Sequence, residues 1–140
     1  MPLIYRFRKF RLEDGTYVKR PIINIILKRD NKSLRFDAIL DSGSDITTIS
    51  QEMANYLEVK SNEKEAEMIG YQGRGKVKHG KLTLIFKGRV QRQDEVLNNI
   101  PVAIMQDPDE QEVVVGTQGV FEHFKILFND SKNVSLTRIV

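Results

Sequence analysis

The sequence predicts a mainly β chain with one or two short helices, and three observations carry that prediction. Apolar or alternating segments are short, with turn signals between them, as in "IINIIL" at 22–27 and "KLTLIF" at 81–86. Asp14-Gly15 and "RDNKS" at 29–33 are turn signals of the kind that join antiparallel strands. No linker-like composition divides the chain, so residues 1–140 are expected to form one domain.

Taken in order, strands are expected around 3–12, 16–28 and 34–40, with hairpin turns at "EDGT" and "RDNKS". "ITTIS" at 46–50 is another β-branched run. Ser50 is placed to cap a short helix, "QEMANYL", with Glu52 in its first turn. "AEMIGY" and "KVKHGKLTLIF" follow as two strands joined by the glycine-spaced tip "GYQGRGK". Further strands are expected at "IPVAIM" (100–105) and "EVVVG" (112–116), then one or two helical turns in "TQGVFEHF". "KILFND" and "NVSLTRI" close the chain as a hairpin around "NDSKN".

At 140 residues, 40% hydrophobic and 29% charged, the composition is that of a soluble globular protein with a real core. No apolar run approaches the roughly 18 to 20 residues of a membrane span, so no membrane partner is expected. "MPLIYRFRKF" mixes Arg into its apolar residues and lacks the continuous apolar segment of a signal peptide, which makes the cytoplasm the expected location. The absence of cysteine excludes disulfides and thiolate chemistry. His79 and His123 have no ligand-spaced carboxylates beside them, so neither a metal nor another cofactor is expected. The formal charge is +3, but Lys and Arg are scattered among acids. The densest patch, "RFRKFR" at 6–11, alternates as a strand with one solvated face would, which argues against nucleic acid as a partner.

The stretch that points to chemistry is "AILDSGSD" at 38–45. A lone Asp-Ser-Gly is ordinary turn composition. Here, however, Asp41 directly follows an apolar strand, where a carboxylate is costly to desolvate unless it is hydrogen-bonded or functional. Gly43 admits close backbone approach, and Ser42 and Ser44 offer hydroxyl donors. One carboxylate cannot both take a proton from water and give one to a substrate carbonyl. Two are needed, close enough to share one proton, and a chain with a single such motif must find the second in another subunit.

"RPIINIILKRDNKSLRFDAILDSGSD" at 20–45 resembles the start of the retropepsin-like aspartic peptidases, the retroviral proteases and the protease-like domains of DNA-damage-inducible ubiquitin-shuttle proteins. The family pattern is two or three apolar residues, then Asp, Thr or Ser, Gly and a small residue. A second signature, an apolar run ending in Gly before a short helix, is matched by "VVVGTQGVFEHFKILF", with Gly116 75 residues after Asp41. "MIGYQGRGKVKHGKLTLIF" resembles the flap hairpin. The resemblance implies a closed β-barrel completed as a homodimer, one Asp41 from each chain at the floor of a cleft, and no cofactor. It further implies loop support from Ser42, Gly43 and Ser44, and an extended peptide substrate held by Asp45 and the flap residues Gly70, Tyr71, Gly73 and Gly75. The apolar "VSLTRIV" and the N-terminal strand are the interface candidates by the same resemblance.

Two departures stand out. Retroviral members commonly place an Arg after the second glycine to pair with the Asp that Asp45 matches, and here Thr117 and Gln118 stand instead. Residues 1–19 have no counterpart in the minimal retroviral enzyme and are expected to be an added hairpin. The flap glycines do not suit a phosphate loop, because strand-like sequence follows them rather than a helix. Phe121, Phe124 and Phe128 suit core packing, His79 an exposed strand position and His123 a surface position. Two functions follow from this reading: an aspartic endopeptidase, or a retropepsin-like scaffold without turnover that dimerises or binds peptides.

Overall fold

The computed structural model describes residues 2–62, 64, 66–70, 73–89 and 93–139, with main chain alone at 68–70, 73 and 74. Ten strands and one helix follow in order: β1 (Leu3–Arg11), β2 (Tyr17–Arg29), β3 (Lys32–Leu40), β4 (Thr47–Ser50), α1 (Gln51–Tyr56), β5 (Ala66–Gly70), β6 (Gly73–Phe86), β7 (Glu95–Met105), β8 (Val114–Val115), β9 (Phe124–Asn129) and β10 (Asn133–Arg138). A single 3₁₀ turn, Phe121–His123, precedes β9. The architecture is mainly β, as the segment pattern predicts.

All ten strands join one sheet in the order β5-β6-β7-β4-β8-β3-β2-β1-β10-β9, and an added β6–β2 pairing links six of them into a ring. Alternation explains which faces turn inward. Ile23, Ile25 and Leu27 of β2 are fully buried, while their neighbours Asn24 and Ile26 point the other way. Leu82, Leu84 and Phe86 of β6 and Val102 and Ile104 of β7 complete the same core, with Leu40 and Val115 at the ends of β3 and β8.

The turns form where Asp, Asn and Gly accept positive φ. Gly15 (φ 87), Asp30 (φ 54) and Asp130 (φ 50) sit in the three tight hairpin turns among the described residues. Helix α1 begins where Ser50 accepts a hydrogen bond from the Met53 amide at 3.1 Å, and it buries Met53 and Ala54.

β7 runs from Glu95, five residues before the expected start. Asn98 and Asn99 lie opposite Thr83 alone, a bulge with Asn99 at φ 56, so Leu97 and Ile100 both face the core with two exposed residues between them. Strict alternation fails there, which hid the first half of the strand. Conversely β8 keeps only two of the five residues expected, because the chain leaves the sheet at Gly116.

Of residues 1–19, the described ones, 2–19, include β1, the hairpin turn and the start of β2. β1 pairs with β10 over Leu3–Arg6 and with β2 over Phe7–Arg11. Of the expected interface stretch "VSLTRIV", Ile139 is 53% exposed and Val140 lies outside the described residues. Val134 and Leu136 are buried within the same chain, and β10 lies between β1 and β9. Phe124 is in the core and Phe121 packs against it, but Phe128 is 42% exposed on β9, the last strand of the sheet.

Candidate active site

The sheet order places Asp41. β8 inserts between β3 and β4, parallel to β3 and antiparallel to β4, although β3 and β4 are consecutive in sequence. The loop that joins them, residues 41–46, must therefore cross the end of β8. Asp41 stands at the first step of that crossing: its amide donates to the Val115 carbonyl at 3.0 Å and extends the β3–β8 ladder by one bond.

The crossing is close. A Cβ on Gly116 would lie 2.5 Å from the carbonyl carbon of Ile46, so only glycine fits without movement of the backbone. The Gly116 amide donates to the Thr47 hydroxyl at 3.2 Å, the Thr117 amide to the Ser44 carbonyl at 2.9 Å and the Gln118 amide to the Asp45 carbonyl at 3.0 Å. These bonds make 44–47 and 116–118 a single unit.

Within the loop, the Gly43 amide donates to Asp41 Oδ1 at 2.8 Å, and the Ser44 amide to the Asp41 carbonyl at 3.2 Å. A Cβ at Gly43 would stand 3.2 Å from that same Oδ1, tight enough to disturb the bond. One carboxylate oxygen is thus oriented by the main chain while the side chain stays exposed. Ser42 and Gly43 are exposed beside it.

The Ser44 hydroxyl does not serve the Asp41 carboxylate. It donates to the Ile46 carbonyl at 2.9 Å and braces the loop from its far side. Asp45 has no ion pair among the described residues, and where the retroviral pattern has an Arg its segment is met instead by main chain and by the Thr117 hydroxyl, 3.4 Å from the Asp45 carbonyl. Thr47 and Ile46 were not singled out in the sequence. The β-branched pair after the motif was read only as strand, and nothing local showed that a glycine 70 residues on would rest on it.

The glycine-spaced tip is a main-chain hairpin, with Gly70 paired to Gly73 and Met68 to Gly75. Tyr71 lies outside the described residues. Gly75 has room for a side chain, since a Cβ would meet only the Met105 methyl at 3.7 Å. His79 lies on β6 with its amide bonded to the Asn62 side chain, and His123 is exposed; neither is brought to Asp41 by any described contact.

No curated protein sequence matches the chain. A solved structure, a retropepsin-like aspartic protease from Rickettsia conorii, shares its fold with a TM-score of 0.59 and 19% identity, over 97% of this chain and 90% of that one. No described helix is long and apolar enough to cross a membrane. Residues 30–119, more than half of the chain and spanning both Asp41 and Gly116, match the family described as "gag-polyprotein putative aspartyl protease", and the chain belongs to that family of retropepsin-like aspartyl proteases.

Proposed function

We propose that the protein is an aspartic endopeptidase that works as a homodimer, with Asp41 of each subunit meeting at one site. The observation that carries this reading is the Asp41 carboxylate itself, exposed at a chain crossing with one oxygen oriented by the Gly43 amide. A carboxylate held this way at a strand end has no structural partner among the described side chains. A second copy related by a two-fold axis supplies the other half of an acid–base pair.

In this mechanism the pair shares one proton. The charged carboxylate takes a proton from a water lying between the two, and the water oxygen attacks the peptide carbonyl carbon. The protonated carboxyl gives its proton to the carbonyl oxygen, forming a neutral tetrahedral diol. Collapse of the diol breaks the C–N bond, a proton passes to the leaving nitrogen, and the pair is left with one proton again. No metal or cofactor takes part.

Further parts of the proposal rest on the family's architecture. The ring of six strands is taken as a closed barrel, residues 1–140 as one domain, and the cytoplasm as its location. Ser42 and Gly43 lie against their counterparts across the axis, with Ser44 stiffening the loop. The Gly70–Gly75 hairpin with Tyr71 serves as a flap over an extended peptide that also contacts Asp45. The subunits meet along β9, whose Leu127 is 61% exposed and which ends the sheet with an unpaired edge among the described strands. Asp41→Asn keeps the shape of the loop and removes the acid–base group. It should abolish hydrolysis of a peptide library while circular dichroism and subunit association stay unchanged, and residual turnover in pure variant protein would refute the mechanism.

A further inference from the structure

A second feature lies on the opposite face of the β1–β2–β3 sheet from the core. Register puts the outward positions of the three strands side by side: Arg8 opposite Arg20, Asn24 opposite Asp37 and Ile26 opposite Arg35. Their neighbours in each strand, including Tyr5, Ile23 and Ile25, point into the core. Lys87, the residue after β6, extends the β2–β6 ladder by one step, which puts its side chain on the same outward face as Asn24. The Lys87 amide donates to the Asn24 carbonyl at 3.0 Å, and the Tyr5 hydroxyl donates to the Lys87 carbonyl at 2.8 Å. Burial and the nearby Asp94 charge raise the Tyr5 pKa well above its ordinary value, so that hydroxyl keeps its proton and the bond holds.

On this face lies a cavity of about 570 Å³, whose polar lining is Arg6, Arg8, Arg35, Lys87, Arg89 and Asn24, with Ile4, Tyr5 and Ile22 adding apolar surface. That volume falls within the range of small-molecule sites, roughly 300 to 1,000 Å³. Five cations face two carboxylates. Asp37 pairs with Arg8 at 2.6 Å, and Asp94 with Lys87 at 2.7 Å, with a weaker pull from Arg35. Arg6, Arg35 and Arg89 have no ion pair among the described residues. Like charges gathered around one concavity repel each other until an anion of matching charge density occupies it.

We propose that this cavity binds a compact polyphosphate group, such as the triphosphate of a nucleotide. Arginine forks match phosphate oxygens two at a time, and a triphosphate brings several negative charges within the span of one cavity. An acidic peptide is a poorer match. It spaces its charges along a chain instead of concentrating them within the span of one cavity. Its Arg35 is set apart from the candidate catalytic loop, preceding Asp41 by six residues, roughly 20 Å along an extended strand, while the apolar lining residue Ile22 pairs with Ile39 nearer the loop.

Calorimetric titration of the full chain with sodium tripolyphosphate, and separately with a nucleoside triphosphate, tests this. Saturable binding of one tripolyphosphate per chain is expected, weakening as salt is added. Arg6→Gln with Arg35→Gln should weaken it about tenfold or more for each charge removed. Lys125→Gln with Lys60→Gln, which removes the same net charge from exposed positions outside the cavity lining, should leave it unchanged. If the double Gln variant fails to fold, Arg6→Lys with Arg35→Lys keeps the charge, loses the fork and should still weaken binding. Tighter binding of the nucleotide than of tripolyphosphate would support the site and identify a nucleotide as its source. Absence of tripolyphosphate binding, equal weakening when the two control lysines are replaced by Gln, or equal or tighter binding of a glutamate-rich peptide or of an oligonucleotide lacking terminal phosphates would each overturn it.

Discussion

Gly116 rests on the backbone of Ile46 so closely that even a methyl group on its Cα would stand 2.5 Å from the Ile46 carbonyl carbon. The contact fastens the β3–β4 crossing to the end of β8, and with it the position of Asp41. Gly116→Ala must push one main chain away from the other, an overpacking that costs about 2 kcal/mol or more. Urea unfolding should show the midpoint falling accordingly, and hydrolytic activity should fall further than stability. A variant as stable as wild type would mean the crossing has slack.

The proposed shared site makes a quantitative demand on mixed subunits. With wild type held constant and a ninefold excess of Asp41→Asn added under exchange conditions, random pairing leaves about a tenth of wild-type subunits with a wild-type partner. Activity should fall about tenfold. Undiminished activity would show that each subunit carries a complete site.

The free edge of β9 makes a separate demand. Leu127 is 61% exposed and Phe128 42% exposed, beside main-chain groups that no described strand pairs. Leu127→Lys should raise the dimer dissociation constant about tenfold or more in analytical ultracentrifugation and leave the thermal unfolding of the dilute monomer nearly unchanged. Unaltered association would place the interface elsewhere.

Acid stability should depend on Asp94. The Lys87 ammonium, first, and the Gly88 amide hold its carboxyl below the ordinary carboxylate range. A depressed folded-state pKa adds stability that is present above the unfolded value and disappears as pH falls through the folded one. Asp94→Asn should therefore lower the melting temperature at pH 6 and make no difference near pH 2. An equal deficit at both would point to lost hydrogen-bond geometry instead of charge.

Local rules made much of the fold legible. The Asp14-Gly15 turn, the Ser50 cap and the alternation of β2 are short-range features, and each appears where its residues predict. Rules of one strand failed where a second strand decides the outcome. The bulge at Asn98 and Asn99 exists because β6 passes opposite, and Phe128 is exposed because β9 has no neighbour on one side among the described strands. The site divides the same way. Asp41, Gly43 and Gly116 stand out through residue type, whereas the Ser44 hydroxyl turns to Ile46 and Thr47 meets the Gly116 amide only because the loop crosses β8.

The split allegiance of β1 also sets an order of assembly. Its second half pairs with β2 across a short turn, while Leu3–Arg6 pair with residues 133–136 at the far end of the sequence. The hairpins β1–β2, β2–β3 and β9–β10 close over short loops, but the β1–β10 seam must await nearly the whole chain and bear a long loop-closure entropy. During synthesis on the ribosome, the first half of β1 is therefore an open edge until β10 emerges. Its outward Arg6, by keeping that edge charged, discourages pairing between nascent chains.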